Sequence, residues 1–98
     1  MAFNRFVAAA AHARGLSVGL KNDLDQAAAL EPDFDWALDE QCFQYHECDA
    51  LQPFARAGKA VLVAEYELDP SAFCPQARAA GYSAIRKRLA LDAWRQSC

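Results

Sequence analysis

Two adjacent carboxylates and an amide, Asp39-Glu40-Gln41, directly follow the apolar residues Trp36-Ala37-Leu38. An apolar run of this kind indicates a buried strand. Folds of the α/β class place their reactive groups at the C-terminal ends of such strands. Carboxylates there can act as general acids, general bases or nucleophiles. We therefore take Glu40 as the candidate catalytic carboxylate of this sequence.

Polar groups also follow the other three strands that the sequence predicts. They are Lys21-Asn22-Asp23, Glu65-Tyr66-Glu67 and Arg86-Lys87. Because the strand ends of a parallel sheet share one edge, we expect these groups to converge with Glu40 into a site for a hydroxyl- or amine-rich ligand. The alternative is that each group is polar only because loops contact water. The four groups taken together favour a site.

The elements that position these groups form a repeat of helix, glycine and strand. Three helix ends have related sequences, Ala13-Arg14-Gly15, Ala55-Arg56-Ala57-Gly58 and Ala77-Arg78-Ala79-Ala80-Gly81, in which glycine supplies a left-handed cap. The predicted helices cover residues 3–14, 23–30, 48–57 and 70–80, the strands cover 16–20, 34–38, 59–64 and 82–85, and an amphipathic segment covers 89–98. Strands that alternate with helices imply a parallel sheet. The predicted fold is therefore α/β with the order αβαβαβαβ, about half of a (β/α)8 TIM barrel, which needs about 250 residues.

Composition limits the classes of function open to this chain. Its 98 residues suffice for one small domain, and its net charge of −3 comes with no basic patch for nucleic acid. No apolar run approaches the roughly 20 residues that a membrane span needs. Residues 7–11 are too short and too weakly apolar for the core of a signal peptide, so we expect no signal peptide in this chain. No cofactor is expected.

The four cysteines, Cys42, Cys48, Cys74 and Cys98, are an even number. In a secreted chain they predict two disulfides with three possible pairings, whereas in a cytosolic chain they would be free thiols or metal ligands. None of them has the Cys-x-x-Cys spacing of structural zinc sites, so no metal site is expected. A thiol or metal protein is for that reason the weakest functional hypothesis.

Several runs of residues carry a family resemblance. The most specific are Gly19-Leu20-Lys21-Asn22 and Glu40-Gln41-Cys42-Phe43, and the others are residues 11–18, Phe34-Asp35-Trp36-Ala37, Lys59-Ala60-Val61, Glu65-Tyr66 and Asp23. With these runs the chain resembles, over nearly its whole length, the C-terminal portion of the glycoside hydrolase family 114 TIM barrel, the endo-α-1,4-polygalactosaminidase-like family. It departs from the family pattern at Asp39, where the family usually has Asn, and at Ala64, where Val is expected. The extra charge of Asp39 is expected to raise the pKa of the Asp39–Glu40 pair.

The resemblance implies a glycosidase that hydrolyses α-1,4-linked, galactosamine-rich polysaccharide, with Glu40 as general acid. The residues it implies in substrate binding are Lys21, Asn22, Gln41, Glu65 and Tyr66. The family's second catalytic carboxylate lies in an Asp-rich segment upstream of the position of Asn4. Asp39 is not a substitute, because adjacent strand residues point to opposite faces, so Glu65 is the remaining candidate. Residues 1–98 are therefore expected to be a partial barrel domain that is inactive alone.

A non-catalytic half barrel, or a carbohydrate-binding remnant, is the alternative function because it shares all of these features. An isolated half barrel has open edges and an uncovered inner face, so we expect it to self-associate or to need the missing N-terminal half. A Cys42–Cys48 disulfide would hold the loop after Glu40, and a Cys74–Cys98 disulfide would attach the last helix to the C-terminal tail. Such disulfides persist only in an oxidising compartment, so the parent protein is expected to be secreted.

Overall fold

The computed structural model describes residues 2–98, which form an α/β structure with a five-stranded sheet. The α-helices are α1 (Ala2–Ala13), α2 (Ala27–Leu30), α3 (Gln52–Arg56) and α4 (Pro70–Ala80). The strands are β1 (Gly19–Lys21), β2 (Trp36–Glu40), β3 (Ala60–Glu65), β4 (Ser83–Lys87) and β5 (Arg95–Ser97). Short 3₁₀ turns flank α2 and precede α3, at Leu24–Gln26, Glu31–Asp33 and Cys48–Leu51. Within this part of the chain, every helix is too short or too polar to cross a bilayer.

The strands of the sheet lie in chain order, from β1 at one edge to β5 at the other. The first four are parallel, and β5 is antiparallel to β4. Leu38 of β2 lies between Lys21 of β1 and Leu62 of β3, and Glu40 lies beside Ala64. The C-terminal ends of the parallel strands therefore share one edge of the sheet. The prediction of an α/β fold built from parallel βα repeats is confirmed.

The hydrophobic core lies between one face of the sheet and the helices. From the sheet it includes Ala37, Val61, Val63 and Ala84, all at most 3% exposed. From the helices and turns it includes Leu30, Leu51, Phe54, Phe73 and Ala77. Burying one large apolar side chain contributes about 1.5–3 kcal/mol relative to leaving it in water. We call this face the core side of the sheet.

The opposite face of the sheet, which we call the open face, is left uncovered within residues 2–98. Trp36 and Leu38 on this face are half-buried, and Leu62 is 38% exposed. Trp36 packs across its neighbour Gly19, where an added Cβ would come within 2.4 Å of the indole ring. In a closed barrel the corresponding face points into the interior.

The strands begin and end later than the sequence predicted. β1 begins at Gly19 rather than at residue 16, and β2 ends at Glu40 rather than at residue 38. The Asp35 carboxylate contributes to the later start of β1 and β2. It accepts the Val18 N–H at 2.7 Å and so joins the segments that precede these two strands, before the backbone hydrogen bonds between the strands begin. As a result, the candidate catalytic carboxylate is the last residue of a strand and is not part of a loop.

The segment after β4 differs most from its prediction. Residues 89–98 were expected to be amphipathic, but Leu89 and Leu91 are exposed and the segment ends in β5. The Cys98 N–H donates to the Ala84 carbonyl at 3.1 Å, and Cys98 is disulfide-bonded to Cys74 of α4. The end of the chain is thereby held along β4, so β4 is not an open edge of the sheet.

Glycines and disulfides fix the connections as the sequence suggested. Gly15, Gly58 and Gly81 all have positive φ and follow α1, α3 and α4, where L-residues would be strained. The second disulfide joins Cys42 to Cys48. The structure therefore has the pairing that we favoured among the three possible ones.

Candidate active site

Glu40 is the centre of a polar cluster at the C-terminal edge of the sheet. Its Oε2 accepts a hydrogen bond from the hydroxyl of Tyr66, which follows β3. Its Oε1 lies 3.5 Å from Nζ of Lys21, the last residue of β1. Its backbone N–H donates to Oδ1 of Asn22 at 3.0 Å. Three neighbouring strand ends therefore bring a carboxylate, a cation, an amide and a phenol together.

Left-handed residues at the ends of β1 and β2 produce this arrangement. Asn22 has a φ of 56° and Gln41 a φ of 61°, a conformation that Asn tolerates better than most residues. Each also extends the sheet by one hydrogen bond of 2.8 Å, from Asn22 to Leu38 and from Gln41 to Ala64. The chain therefore turns only after the last paired residue, which keeps Glu40 on a rigid strand.

Glu40 is held in its ionised form. Its pKa is lowered chiefly by the hydrogen bond from Tyr66, and further by Asn22 and Lys21, while partial burial acts in the opposite direction. The pKa of Tyr66 is raised to about 12, first by burial and then by its hydrogen bond to Glu40. At neutral pH the pair is therefore a carboxylate and a neutral phenol that donates to it.

The general-acid role that the resemblance implies for Glu40 stays a prediction, and the direction of its pKa bears on it. A general acid in a glycosidase needs a raised pKa. A carboxylate held in its charged form fits a general base, a nucleophile or a group that stabilises positive charge. The expected rise in the pKa of the Asp39–Glu40 pair does not occur at Glu40, whose pKa is lowered.

Asp39 points to the core side of the sheet, as the alternation of strand residues requires. It is 2% exposed, and its Oδ2 has no hydrogen-bond partner within the described residues. Its pKa is raised to about 6, first by burial and then by the charges of Glu47, Glu65 and Glu40. Asp39 is therefore directed away from the face on which Tyr66 and Lys21 hold Glu40.

Glu65 also lies on the core side and does not line the site with Glu40. Its side chain is fully buried, and its Oε2 accepts the Phe43 N–H at 2.9 Å. Burial raises its pKa despite the backbone hydrogen bonds from Phe43 and Gln44. This placement corrects the expectation that Glu65 contacts substrate or supplies the second carboxylate. Its contact instead holds the loop that follows Glu40, a role that the sequence analysis missed.

Gln41 lies at the rim of the site. Its Nε2 donates to Oε1 of Gln44 at 3.2 Å, and Nε2 of Gln44 donates to Oε2 of Glu67 at 2.7 Å. The half-buried Gln41 side chain is therefore linked to the end of β3 rather than to Glu40. It is placed where a ligand that extends beyond Glu40 would meet it.

The polar group after β4 does not join the cluster. Nη1 of Arg86 lies 4.0 Å from Oδ1 of Asp69, and Nζ of Lys87 donates to the backbone carbonyl of Asp92. The expected convergence of four polar groups is therefore confirmed for only three, those after β1, β2 and β3.

Comparisons with known proteins identify the family. The whole chain, residues 1–98, matches the model of the glycoside-hydrolase family GH114. The chain belongs to family GH114. The resemblance drawn from the Glu40 and Lys21 motifs is thereby confirmed. A search of curated proteins found none that matches this GH114 chain.

A solved structure shares the fold of this GH114 chain. It is the crystal structure of Ega3 from Aspergillus fumigatus in complex with galactosamine, with 36% sequence identity and a TM-score of 0.85. The match covers 95% of this chain and 42% of the Ega3 chain. The chain therefore spans less than half the length of that relative, and the prediction of a partial TIM barrel is confirmed.

Proposed function

We propose that this chain forms the Glu40 side of the active site of a glycoside hydrolase that cleaves α-1,4-linked, galactosamine-rich polysaccharide. The observation that carries the proposal is the cluster of Lys21, Asn22 and Tyr66 around an ionised Glu40. Family membership supports hydrolysis of a glycosidic bond. The complex of Ega3 with galactosamine supports an amino-sugar substrate.

In this proposal Glu40 is the catalytic carboxylate, and its neighbours orient it. Glycosidase transition states carry positive charge on the sugar ring, which an ionised carboxylate stabilises. The Tyr66 hydroxyl and the Lys21 ammonium fix the two oxygens of Glu40. Lys21, Asn22 and Gln41 also offer donors to sugar hydroxyl groups, and the Tyr66 oxygen can accept from one, so these four residues form the proposed substrate-binding set.

The second carboxylate in this proposal comes from a segment other than residues 1–98. Glycosidases generally need two carboxyl groups that flank the scissile bond. Asp39 and Glu65, the other carboxylates on the strand ends of this site, are buried on the core side. Residues 1–98 are thus a partial barrel domain, and we expect no hydrolysis of galactosaminogalactan by this chain alone.

The open face and the free edge of β1 are the proposed contact surface for the rest of the barrel. Without that complement, the exposed Leu62 and the unpaired edge of Gly19–Lys21 favour self-association. We therefore predict that the chain alone forms oligomers or aggregates in light scattering. A monodisperse species with the mass of one chain and a cooperative melt would contradict this prediction.

The two disulfides support secretion of the parent protein. Both Cys42–Cys48 and Cys74–Cys98 are formed in the structure, and such bonds persist in oxidising compartments. We therefore propose an extracellular location, consistent with a polysaccharide substrate. Mass mapping of the unreduced protein from its natural source would test this, because free thiols at all four positions would contradict it.

Complementation tests the proposed function. The chain is co-expressed with the part of Ega3 that it does not match, and release of reducing ends from galactosaminogalactan is measured. We expect turnover only when both parts are present, and about a hundredfold loss or more in Glu40→Gln. The matched control is Asp49→Asn, which removes one charge from an exposed position that forms no ion pair within residues 2–98 and does not contact the Glu40 cluster.

Turnover that is unchanged in Glu40→Gln would overturn the assignment of this residue. A soluble complex that binds the polysaccharide without cleaving it would instead favour the alternative function, a carbohydrate-binding half barrel. The placement of Asp39 and Glu65 on the core side favours that alternative for the chain on its own, because it leaves Glu40 without a carboxylate partner at the strand ends.

A further inference from the structure

The two edges of the sheet differ in how they end. At one edge, β5 pairs with β4, and the adjoining Cys98 is disulfide-bonded to Cys74 of α4. The residues of β5 are Arg95, Gln96 and Ser97, which are all exposed, and charged, polar edge strands of this kind discourage further pairing. At the other edge, β1 has no strand beside it within residues 2–98. The β1 edge is therefore the one suited to further pairing.

Two residues of β1 direct their backbone groups to this free edge. The Val18 carbonyl accepts the Asp35 N–H, and the Asn22 N–H donates to a carbonyl of β2, both at 2.8 Å. The even-numbered residues of this segment therefore face β2. Because successive residues of a strand point their backbone groups in opposite directions, Gly19 and Lys21 face the free edge. Their two N–H groups and two carbonyls are available to another strand.

An antiparallel second copy of β1 would pair with all four of these groups. In an antiparallel pair, two residues that lie directly opposite each other can exchange both of their backbone hydrogen bonds. With Leu20 on a two-fold axis, Gly19 of each copy lies opposite Lys21 of the other, and both pairs form these bonds. Lys21, the charged residue of β1, then faces a glycine, so like charges do not oppose each other. The free edge of β1 is therefore self-complementary.

An apolar groove lies beside the same edge. It has a volume of about 310 Å³ and is lined by Phe3 and Val7 of α1 and by residues of the β1 segment. Phe3 is 74% exposed, Phe6 is 70% exposed, and Val7 is 41% exposed. Large apolar side chains that are exposed together mark an interaction surface. A two-fold axis perpendicular to the sheet keeps the helices of both copies on one face, so it brings the two α1 helices together at the junction.

We propose that two copies of this chain associate through β1, paired antiparallel about a two-fold axis at Leu20, with Phe3, Phe6 and Val7 of both α1 helices packed over the junction. An interface in which both copies use the same surface closes at two copies. The inference is independent of the proposed glycosidase activity. It narrows the self-association expected of the chain alone to one defined dimer, at the edge that the rest of the barrel would otherwise occupy.

Light scattering after size-exclusion chromatography, and native mass spectrometry, measure the mass over a range of protein concentrations. We expect a species with the mass of two chains. Phe3→Glu, at an exposed position where folding is not at risk, should raise the dissociation constant by about a hundredfold or more, because both copies carry the change. The matched control is Leu89→Glu, which places the same charge after β4 at a side chain that is also 74% exposed. It should leave the dimer intact.

Amide hydrogen exchange followed by NMR locates the contact. The Gly19 and Lys21 amides face the free edge, so they should exchange slowly in the parent chain and rapidly in Phe3→Glu. The Asn22 amide is the internal reference, because it already donates to β2 within one chain. Its exchange rate should differ little between the parent chain and the variant.

Several results would overturn the proposal. A chain that is monomeric at every concentration, or whose mass grows beyond two copies, does not form a closed dimer. A dimer that survives Phe3→Glu, or in which the Gly19 and Lys21 amides exchange rapidly, is held by another surface such as the open face. A chain that stays monomeric but binds the unmatched part of Ega3 would assign the edge to the barrel alone. Because these readouts require no turnover, failure here is distinguishable from failure of the complementation assay.

Discussion

Asp39 and Glu40 are adjacent in sequence, yet their carboxyl groups lie in opposite environments. Glu40 is on the open face with three polar partners, and its pKa is lowered. Asp39 is on the core side with an unpartnered oxygen, and its pKa is raised to about 6. The alternation of strand side chains is sufficient to separate them. The chemistry of a strand-end carboxylate therefore depends on the face it occupies as much as on its place in a motif.

Burial of the Asp39 and Glu65 carboxylates on the core side lowers the stability of the fold, whereas Glu40 on the open face carries no such penalty. Glu65 offsets part of that cost by holding the Phe43 N–H, whereas Asp39 Oδ2 has no such contact. Phe43 in turn stacks on Phe73, with ring centroids 5.8 Å apart. The loop that follows Glu40 is therefore fixed from the core side, by a buried acid and an aromatic pair as well as by the Cys42–Cys48 disulfide.

The largest effect on this comparison is expected from Glu65→Ala. The substitution removes the acceptor of the Phe43 N–H and leaves a cavity, so we expect a loss of about 2–4 kcal/mol in the free energy of unfolding. Urea unfolding at one fixed protein concentration measures it, because self-association adds to apparent stability. Glu65→Gln keeps an acceptor and should cost far less. Equal losses in both variants would show that the charge, and not the hydrogen bond, is what the loop requires.

A smaller effect of opposite sign is expected from Asp39→Asn. The pKa of Asp39 is about 6 in the folded chain against 3.8 as its ordinary value, so the charged form is disfavoured by up to about 3 kcal/mol. A raised carboxyl pKa destabilises the folded state above that pKa, and the cost disappears below the ordinary value. Asp39→Asn should therefore raise the free energy of unfolding near pH 7, and the gain should vanish as the pH falls to about 4. A gain that is independent of pH would contradict the placement of Asp39.

The smallest effect is expected on the open face, from Tyr66→Phe. Loss of the hydroxyl removes the largest cause of the lowered pKa of Glu40, so that pKa should rise. In the complemented enzyme the acidic limb of the pH–rate profile should move to higher pH, with a loss of about tenfold in kcat. Lys21→Gln should move the acidic limb of the profile less, because the Lys21–Glu40 ion pair is 3.5 Å long and its side chains are partly exposed to solvent. A larger shift from Lys21→Gln than from Tyr66→Phe would reverse this ranking.

The sequence was informative about what depends on periodicity and local chemistry. The glycines after α1, α3 and α4 and the parallel order of the strands follow from short-range patterns, whereas the choice of Glu40 over Asp39 came from the family resemblance. Strand limits were less accurate, because the Asp35 carboxylate replaces part of the ladder between β1 and β2. The β5 pairing was missed, since its three exposed polar residues carry no apolar alternation.

The contacts of the site depended on tertiary structure that sequence patterns do not encode. Glu65 and Glu40 are each the last residue of a strand. Because Glu40 pairs with Ala64, Glu65 lies one residue further along β3, and its side chain therefore points to the core side. The role of Glu65 in holding Phe43 requires the loop to return over β3, which no local signal predicted.

A carboxyl titration tests the central contrast most directly. Carbon-13 NMR of the side-chain carboxyls follows Asp39 and Glu40 separately as the pH of the chain is lowered. We expect Asp39 to titrate near 6, and Glu40 to titrate below the ordinary value of a glutamate. An Asp39 that titrates below Glu40, or a Glu40 that titrates above the ordinary value of a glutamate, would contradict the opposite environments of the two carboxyl groups.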